Sequence, residues 1–190
     1  MRIGTKSVLF GAHCFFLHPW FVAEAWRKLY GFPFDPRLWI CFFIHDLGYV
    51  GKPNMDGPEG ECHVEWGAGL AGWLFGDEWK NFCLYHSRYY AKKNGESPSR
   101  LCFADKLSFC LTPRWMYLPM VTATGEVREY LKNAQKADSG HWKPTGYDKR
   151  LWHAQLCVYM ERWVKQHMDG KHDTWTDAGR NSSMDSGVWK

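Results

Sequence analysis

The chain has 190 residues, of which 45% are hydrophobic, and its formal net charge is only +4. This length suits one domain and is long enough to bury a hydrophobic core. The small net charge argues against an extended nucleic-acid-binding surface, although it allows a local basic patch over an anionic substrate.

The first apolar stretch covers residues 8–17, after two basic residues, and it loosely imitates a signal peptide. His13 is unusual in such a segment, and cleavage at the small-residue site over residues 23–25 would remove His18. The stretch is also far shorter than a helix that spans a bilayer. We therefore predict that the segment is retained and that the chain has no membrane-spanning part.

Two helices are predicted next in the chain. Residues Pro19–Tyr30 are amphipathic and are followed by Gly31. Asp35 then provides an N-cap before a helix over Pro36–Leu47, with a proline at the first helical position and Gly48 as the stop.

Helical patterns continue after a loop over residues 48–60, which is rich in Gly, Pro, Asn and Asp. The signals weaken between Pro113 and Pro119, and from Asp169 no apolar period remains. We predict an all-α single domain over residues 1–168 and a flexible tail over residues 169–190. The later predicted helices are Glu61–Phe75, Glu78–Lys93, Pro98–Leu111, Glu126–Ala137 and Asp148–His167.

Seven cysteines stand mostly inside these apolar stretches, without a CxxC or CxxxC pair. This pattern predicts buried free thiols rather than a disulfide framework or a zinc ribbon. A reducing and therefore cytoplasmic location is the corresponding expectation. The cysteines are Cys14, Cys41, Cys62, Cys83, Cys102, Cys110 and Cys157.

The adjacent pair His45 and Asp46 follows the most apolar predicted helix. Burying a carboxylate beside an imidazole is costly unless the pair is neutralised or binds a metal ion. Further ligand-type residues occur in other predicted helices or at their ends, namely His18, His63, His86 and Asp105.

The order of these six residues resembles that of the HD-domain superfamily of metal-dependent phosphohydrolases. The resemblance covers roughly residues 15–112, and segments 18–25 and 104–107 match the helices that carry the family's first and last ligands. It implies a helical bundle around a mono- or dinuclear metal site. His18, His45, Asp46 and Asp105 would form the core site, His63 and His86 would add a second metal, and Asp46 would bridge the two ions.

The resemblance further implies hydrolysis of a phosphate ester or anhydride, in a small nucleotide, by metal-activated water. Imidazole and carboxylate ligands suit one or two divalent ions of Mn, Fe, Co, Ni or Zn. Asp46, His63 and His86 would support catalysis, and Arg88 and Lys52 would bind the phosphate because guanidinium and ammonium groups match its oxygens.

Two departures from the family pattern bear on function. Tyr49 stands where many relatives carry lysine, and His86 is single rather than doubled as in the cyclic-dinucleotide-cleaving branch. Asp105 follows His86 by only 19 residues, a shorter spacing than in HD-type oxygenases, which favours hydrolysis. A non-haem di-iron oxygenase and a non-catalytic binding module remain the alternatives.

The other polar residues near these motifs receive secondary or structural roles. Glu24 and Glu65 are predicted to orient metal-binding imidazoles through hydrogen bonds, with a surface position as the alternative for Glu65. The remaining histidines lack the family spacing and are predicted not to bind metal. They are His13, His141, His153, His167 and His172.

Overall fold

The computed structural model describes residues 1–136 and 148–175, and within these ranges the chain is all-α, as predicted, without a strand. One turn of 3-10 helix covers Leu47–Tyr49. The helices are α1 (Ile3–Phe10), α2 (His18–Tyr30), α3 (Pro36–Ile44), α4 (Pro58–Glu61), α5 (Val64–Phe75), α6 (Asp77–Leu84), α7 (Arg88–Lys93), α8 (Arg100–Leu111), α9 (Arg114–Thr124), α10 (Glu126–Lys136) and α11 (Lys149–His167).

Helix α2 lies at the centre of the main core, between α3 and α8. Its fully buried residues Val22 and Ala25 pack in one cluster with Phe42 of α3 and with Leu101 and Ala104 of α8. The small side chains on α2 and α8 allow the two helices to approach closely. This contact brings the start of α2 and the middle of α8 to the same place, where two of the predicted ligands lie.

A second core joins α9, α10 and α11. Val121 is fully buried there, and Tyr130 stacks on Trp152 with ring centroids 5.9 Å apart. The sequence signals for α9 were weak because Pro119 lies inside the helix and removes one backbone donor. Burial of the face that carries Tyr117 and Val121 outweighs this loss.

The predicted helix Glu78–Lys93 is wrong, because α6 ends at Leu84 and α7 begins at Arg88. Ser87 causes α7 to begin as a separate helix at Arg88. Its side chain accepts a hydrogen bond from the Tyr90 backbone N–H and so caps the N-terminus of α7. The break leaves His86 between the two helices.

Other predicted boundaries shift by two or three residues. Helix α3 ends at Ile44, α5 begins at Val64 after the short α4, and α8 begins at Arg100. Gly48 does not end α3 but lies in the 3-10 turn. Its lack of a side chain matters because a Cβ atom there would lie 1.8 Å from the His63 carbonyl oxygen.

The predicted flexible tail begins too early. The Trp163 indole N–H donates a 3.0 Å hydrogen bond to Asp173, and the Thr174 backbone N–H donates one of 3.2 Å to His167 Nε2. Residues up to Trp175 therefore pack against α11. Residues 176–190, like Ala137 at the end of the predicted helix Glu126–Ala137, lie outside the described residues.

All seven cysteines lie in the described ranges and are free thiols. Four of them are buried, whereas Cys62, Cys110 and Cys157 are partly exposed. None of the helices in the described ranges is long and apolar enough to cross a membrane.

Gly48→Ala is expected to destabilise the fold by about 1–3 kcal/mol, because the new methyl group would collide with the His63 carbonyl. Gly69→Ala is the matched control, since a Cβ at this exposed site in α5 meets no atom within 4 Å. It should stabilise the helix by up to about 1 kcal/mol. Urea denaturation measures both values, and equal stability of the two variants would contradict the close approach.

Candidate metal centre

The six predicted ligands meet in one buried cluster, and most of them lie at helix ends. His18 begins α2, His45 caps the C-terminus of α3, and His63 precedes α5. Each of the six side chains belongs to a residue that is at most 9% exposed. The remaining ligands are Asp46 after α3, His86 between α6 and α7, and Asp105 within α8.

The first half of the cluster contains four potential metal-ligand atoms, one each from His18, His45, Asp46 and Asp105. His18 Nε2 lies 3.2 Å from both Asp46 Oδ2 and Asp105 Oδ1. His45 Nε2 lies 3.1 Å from Asp46 Oδ2 and 3.4 Å from His18 Nε2. All four atoms lie within 4.8 Å of one another, which is compatible with ligation of a single ion.

The second half uses the other oxygen of Asp46. His63 Nε2 and His86 Nε2 lie 3.5 and 3.4 Å from Asp46 Oδ1, and 3.1 Å from each other. The Asp46 carboxylate therefore presents one oxygen to each half. This is the arrangement expected of a carboxylate that bridges two ions.

Backbone carbonyls fix the tautomers of three of the imidazoles. His45 Nδ1 lies 3.0 Å from the Phe42 carbonyl oxygen, and His63 Nδ1 lies 2.7 Å from that of Gly60. His86 Nδ1 contacts the Cys83 carbonyl oxygen in the same way. A carbonyl only accepts hydrogen bonds, so each Nδ1 carries the proton. In the neutral imidazole, Nε2 then turns a lone pair towards the cluster.

Such an arrangement needs a positive charge at its centre. In the second half, two imidazole lone pairs and a carboxylate oxygen face one another at 3.1–3.5 Å. In the first half, the buried Asp46 Oδ2 faces the Nε2 atoms of His18 and His45 at 3.2 and 3.1 Å. A cation satisfies all these atoms, and the mixed imidazole and carboxylate donors suit a first-row transition metal. The residues present therefore fit one or two such ions.

Without metal, protons on the imidazoles provide part of the positive charge that the first half of the cluster needs. Burial opposes charging of His45, but the nearby carboxylates of Asp46 and Asp105 raise its pKa to about 10. Hydrogen bonds with the same two carboxylates outweigh burial at His18 and raise its pKa as well. In the second half, burial and the neighbouring His86 lower the pKa of His63 well below its usual value.

Positive charge also lies on the outer side of Asp105. Lys106 Nζ forms a 2.8 Å ion pair with Asp105 Oδ2, the oxygen that is turned away from His18. Although burial opposes it, the charge of Lys106 and the bonds from His18 and His45 hold the pKa of Asp105 well below its usual range.

Arg88 lies near this ion pair, held against α11. Its guanidinium is 5.0 Å from the centroid of the Trp163 ring and donates a 3.3 Å hydrogen bond to the Tyr159 hydroxyl. Its charge acts on Lys106, where it slightly opposes the effect of Asp105. The predicted contact of Arg88 with phosphate stays a prediction.

Lys52 is the other predicted phosphate ligand, and its contact with phosphate stays a prediction. It lines a surface groove, and within the described residues it forms no ion pair with Asp46 or Asp105. The rest of the groove is lined by Leu47, Gly48, Val50, Cys62, Glu65 and Trp66.

The predicted orienting roles of two glutamates are also corrected. Glu24 pairs with Arg27 on the exposed face of α2, and Glu65 accepts a hydrogen bond from the Tyr90 hydroxyl. The oriented imidazoles use backbone carbonyls instead, because they lie at helix ends where carbonyls are available.

His13 is the main residue of the site that sequence reasoning missed. Its Nε2 lies 4.0 Å from Asp46 Oδ2, and its ring packs on Tyr49 at 4.7 Å. Tyr49 in turn stacks on His63, with ring centroids 3.9 Å apart. Burial, partly offset by Asp46, lowers the pKa of His13 to about 4. Only the presence of a polar residue in an apolar stretch had hinted at such a role.

The other histidines outside the motif do not join the cluster. His167 bonds the Trp163 carbonyl and Thr174, and His153 lies beside Cys157. His172 is exposed, and His141 lies outside the described residues.

No protein-family model matches this chain, and neither a curated protein nor a solved structure matches it. The resemblance to the HD-domain superfamily therefore stays an expectation that rests on the six ligand-type residues.

Titration with Zn²⁺ at pH 7 is expected to load up to two ions per chain and to release protons. The pKa of His45 is about 10 without metal, so this ring holds a proton at pH 7 that a metal ion must displace, and the raised pKa of His18 acts in the same direction. The affinity should therefore increase from pH 6 towards pH 9. Calorimetry in buffers of different ionisation enthalpy measures the number of protons released.

Asp46→Ala should abolish binding because both halves share this carboxylate, whereas the exposed His172→Ala should bind as the wild type does. Binding that is independent of pH, or binding that survives Asp46→Ala, would contradict the site.

Proposed function

We propose that the chain is a metal-dependent phosphohydrolase that cleaves a phosphate ester or anhydride in a small nucleotide. The observation that carries this proposal is the Asp46 carboxylate, which presents one oxygen to each of two histidine-containing groups. When bound, a pair of divalent ions would lower the pKa of a water molecule and neutralise charge on phosphate oxygens.

The protein residues hold this site in a fixed geometry. The backbone carbonyls behind His45, His63 and His86 prevent the rings from turning, so their Nε2 atoms stay directed inwards. Preorganised donors of this kind need no rearrangement during the reaction.

Lys106 and Arg88 support recognition of a phosphate group. The Lys106 ammonium uses one of its hydrogens on Asp105 and is part-exposed, which leaves donors for a substrate oxygen. The Arg88 guanidinium is held by Trp163 and Tyr159 on the same side of the cluster. In this proposal, Lys106 takes the place that the sequence had assigned to Lys52.

The donor set of four histidines and two aspartates would also serve a di-iron oxygenase. The cations beside Asp105 favour hydrolysis, because a phosphate needs positive partners. The two reactions differ in their need for redox chemistry, which makes them experimentally separable.

Protein loaded with Mn²⁺ or Co²⁺ is expected to release phosphate from at least one member of a nucleotide panel under anaerobic conditions, because the ions act only as Lewis acids. Lys106→Gln should raise the KM about tenfold, which corresponds to ~1.4 kcal/mol. Lys80→Gln, an exposed change on α6, is the control and should leave the KM unchanged.

Turnover that requires both iron and dioxygen would contradict the proposed hydrolase and support the di-iron oxygenase. Absence of turnover with every metal and nucleotide, in protein that retains metal, would favour the binding module.

A further inference from the structure

The carboxylate of Glu126 is fully buried, 4.0 Å from His13 Nδ1. Hydrogen-bond donors from α1, the turn after it, α9 and α10 converge on it. Ser7 of α1 donates a 2.8 Å hydrogen bond to Oε2, and Tyr130 donates one of 3.1 Å to the same oxygen. The Ala12 backbone N–H lies 3.3 Å from both oxygens, and the Thr124 hydroxyl bonds Oε1. Burial raises the pKa of Glu126, but the four hydrogen-bond donors oppose this shift and fit the ionised form of the carboxylate.

The backbone near His13 is shaped around this carboxylate. A Cβ atom at Gly11 would lie 1.8 Å from Glu126 Oε1, so only glycine allows the carboxylate to reach the Ala12 N–H. The contact joins segments that are more than a hundred residues apart in the chain, α1 with its following turn and the start of α10.

The hydrogen bonds that link Glu126, Ser7 and His13 fix the tautomer of the imidazole. Ser7 has a single hydroxyl hydrogen, which it donates to Glu126. Its oxygen, 2.8 Å from His13 Nδ1, must therefore accept a hydrogen bond from that nitrogen. The proton of the neutral His13 ring thus lies on Nδ1, and Nε2 carries a lone pair.

The His13 lone pair lies at the edge of the metal centre without belonging to it. His13 Nε2 is 4.0 Å from Asp46 Oδ2, and the ring lies edge-on to His18 with centroids 5.6 Å apart. His13 is not a member of either group of closely spaced ligand atoms. Its side chain is 19% exposed, so solvent reaches part of the ring.

We propose that Glu126, Ser7 and His13 form a relay that holds His13 Nε2 as the hydrogen-bond acceptor for the water molecule that attacks the substrate. His13 would be a catalytic residue, whereas Ser7 and Glu126 would be positioning residues. The inference rests on the proposed hydrolytic function for the role of the water, but the tautomer of His13 is independent of any activity.

Three variants separate the acceptor from the packing of the ring. In His13→Asn the shorter amide ends near the position of Nδ1, so it retains a contact with Ser7 but lacks the acceptor. In His13→Gln the amide reaches the position of Nε2. Ser7→Ala removes the relay and leaves the imidazole in place.

In Mn²⁺-loaded protein, His13→Asn is expected to lower kcat by about 10²-fold, with KM and metal content unchanged. His13→Gln should recover at least part of this loss. Ser7→Ala should lower kcat about tenfold in the wild-type background, and its effect should disappear when combined with His13→Asn, because the two act as one unit. His172→Asn is the exposed control.

NMR of the Zn²⁺-loaded protein, through long-range ¹H–¹⁵N couplings of the imidazoles, gives a measurement that needs no turnover. The relay predicts that His13 is protonated on Nδ1 alone and that Ser7→Ala changes this state. A proton on Nε2 of His13 would overturn the proposal whether or not the protein is active. In active protein, an unchanged kcat in His13→Asn would also overturn it. If the wild type hydrolyses no nucleotide but His13 has the predicted tautomer, the proposed function fails and the relay stands.

Discussion

The structure depends on the convergence of imidazole lone pairs and carboxylate oxygens at a buried point. Atoms of this kind repel one another at 3.1–3.5 Å unless a cation or a proton lies between them. In the first half, the raised pKa values of His18 and His45 indicate that protons can partly take the place of a cation. In the second half the pKa of His63 is lowered, so a proton does not readily bind between these atoms. A metal ion is the remaining way to neutralise the imidazole lone pairs and the carboxylate oxygen.

The fold meets this constraint by placing ligands where helices begin or end. At these positions unpaired backbone carbonyls are available, and they hold Nδ1 of His45, His63 and His86. The packing of α2 against α8 then brings His18 to Asp105 across 87 residues of sequence. The aromatic core therefore contributes to the candidate metal centre indirectly, by fixing the ends of its helices around the six ligands.

Much of this could be predicted from the sequence, because helix periodicity and the order of ligand types are local signals. The all-α class and the meeting of the six ligands follow from them, whereas the break at His86 depends on the cap formed by Ser87. The position of Lys52 and the relay from Glu126 to His13 could not be predicted. Both depend on contacts between distant segments, for which a single sequence carries no periodic signal.

Anomalous diffraction from crystals of the Mn²⁺- or Zn²⁺-loaded protein, recorded on both sides of the absorption edge, tests the central claim most directly. We expect peaks on either side of the Asp46 carboxylate, at about 2.0–2.3 Å from the surrounding nitrogen and oxygen atoms. A single peak between His18, His45, Asp46 and Asp105 would restrict the site to one ion. Absence of any peak next to Asp46 in protein that retains metal would contradict the account.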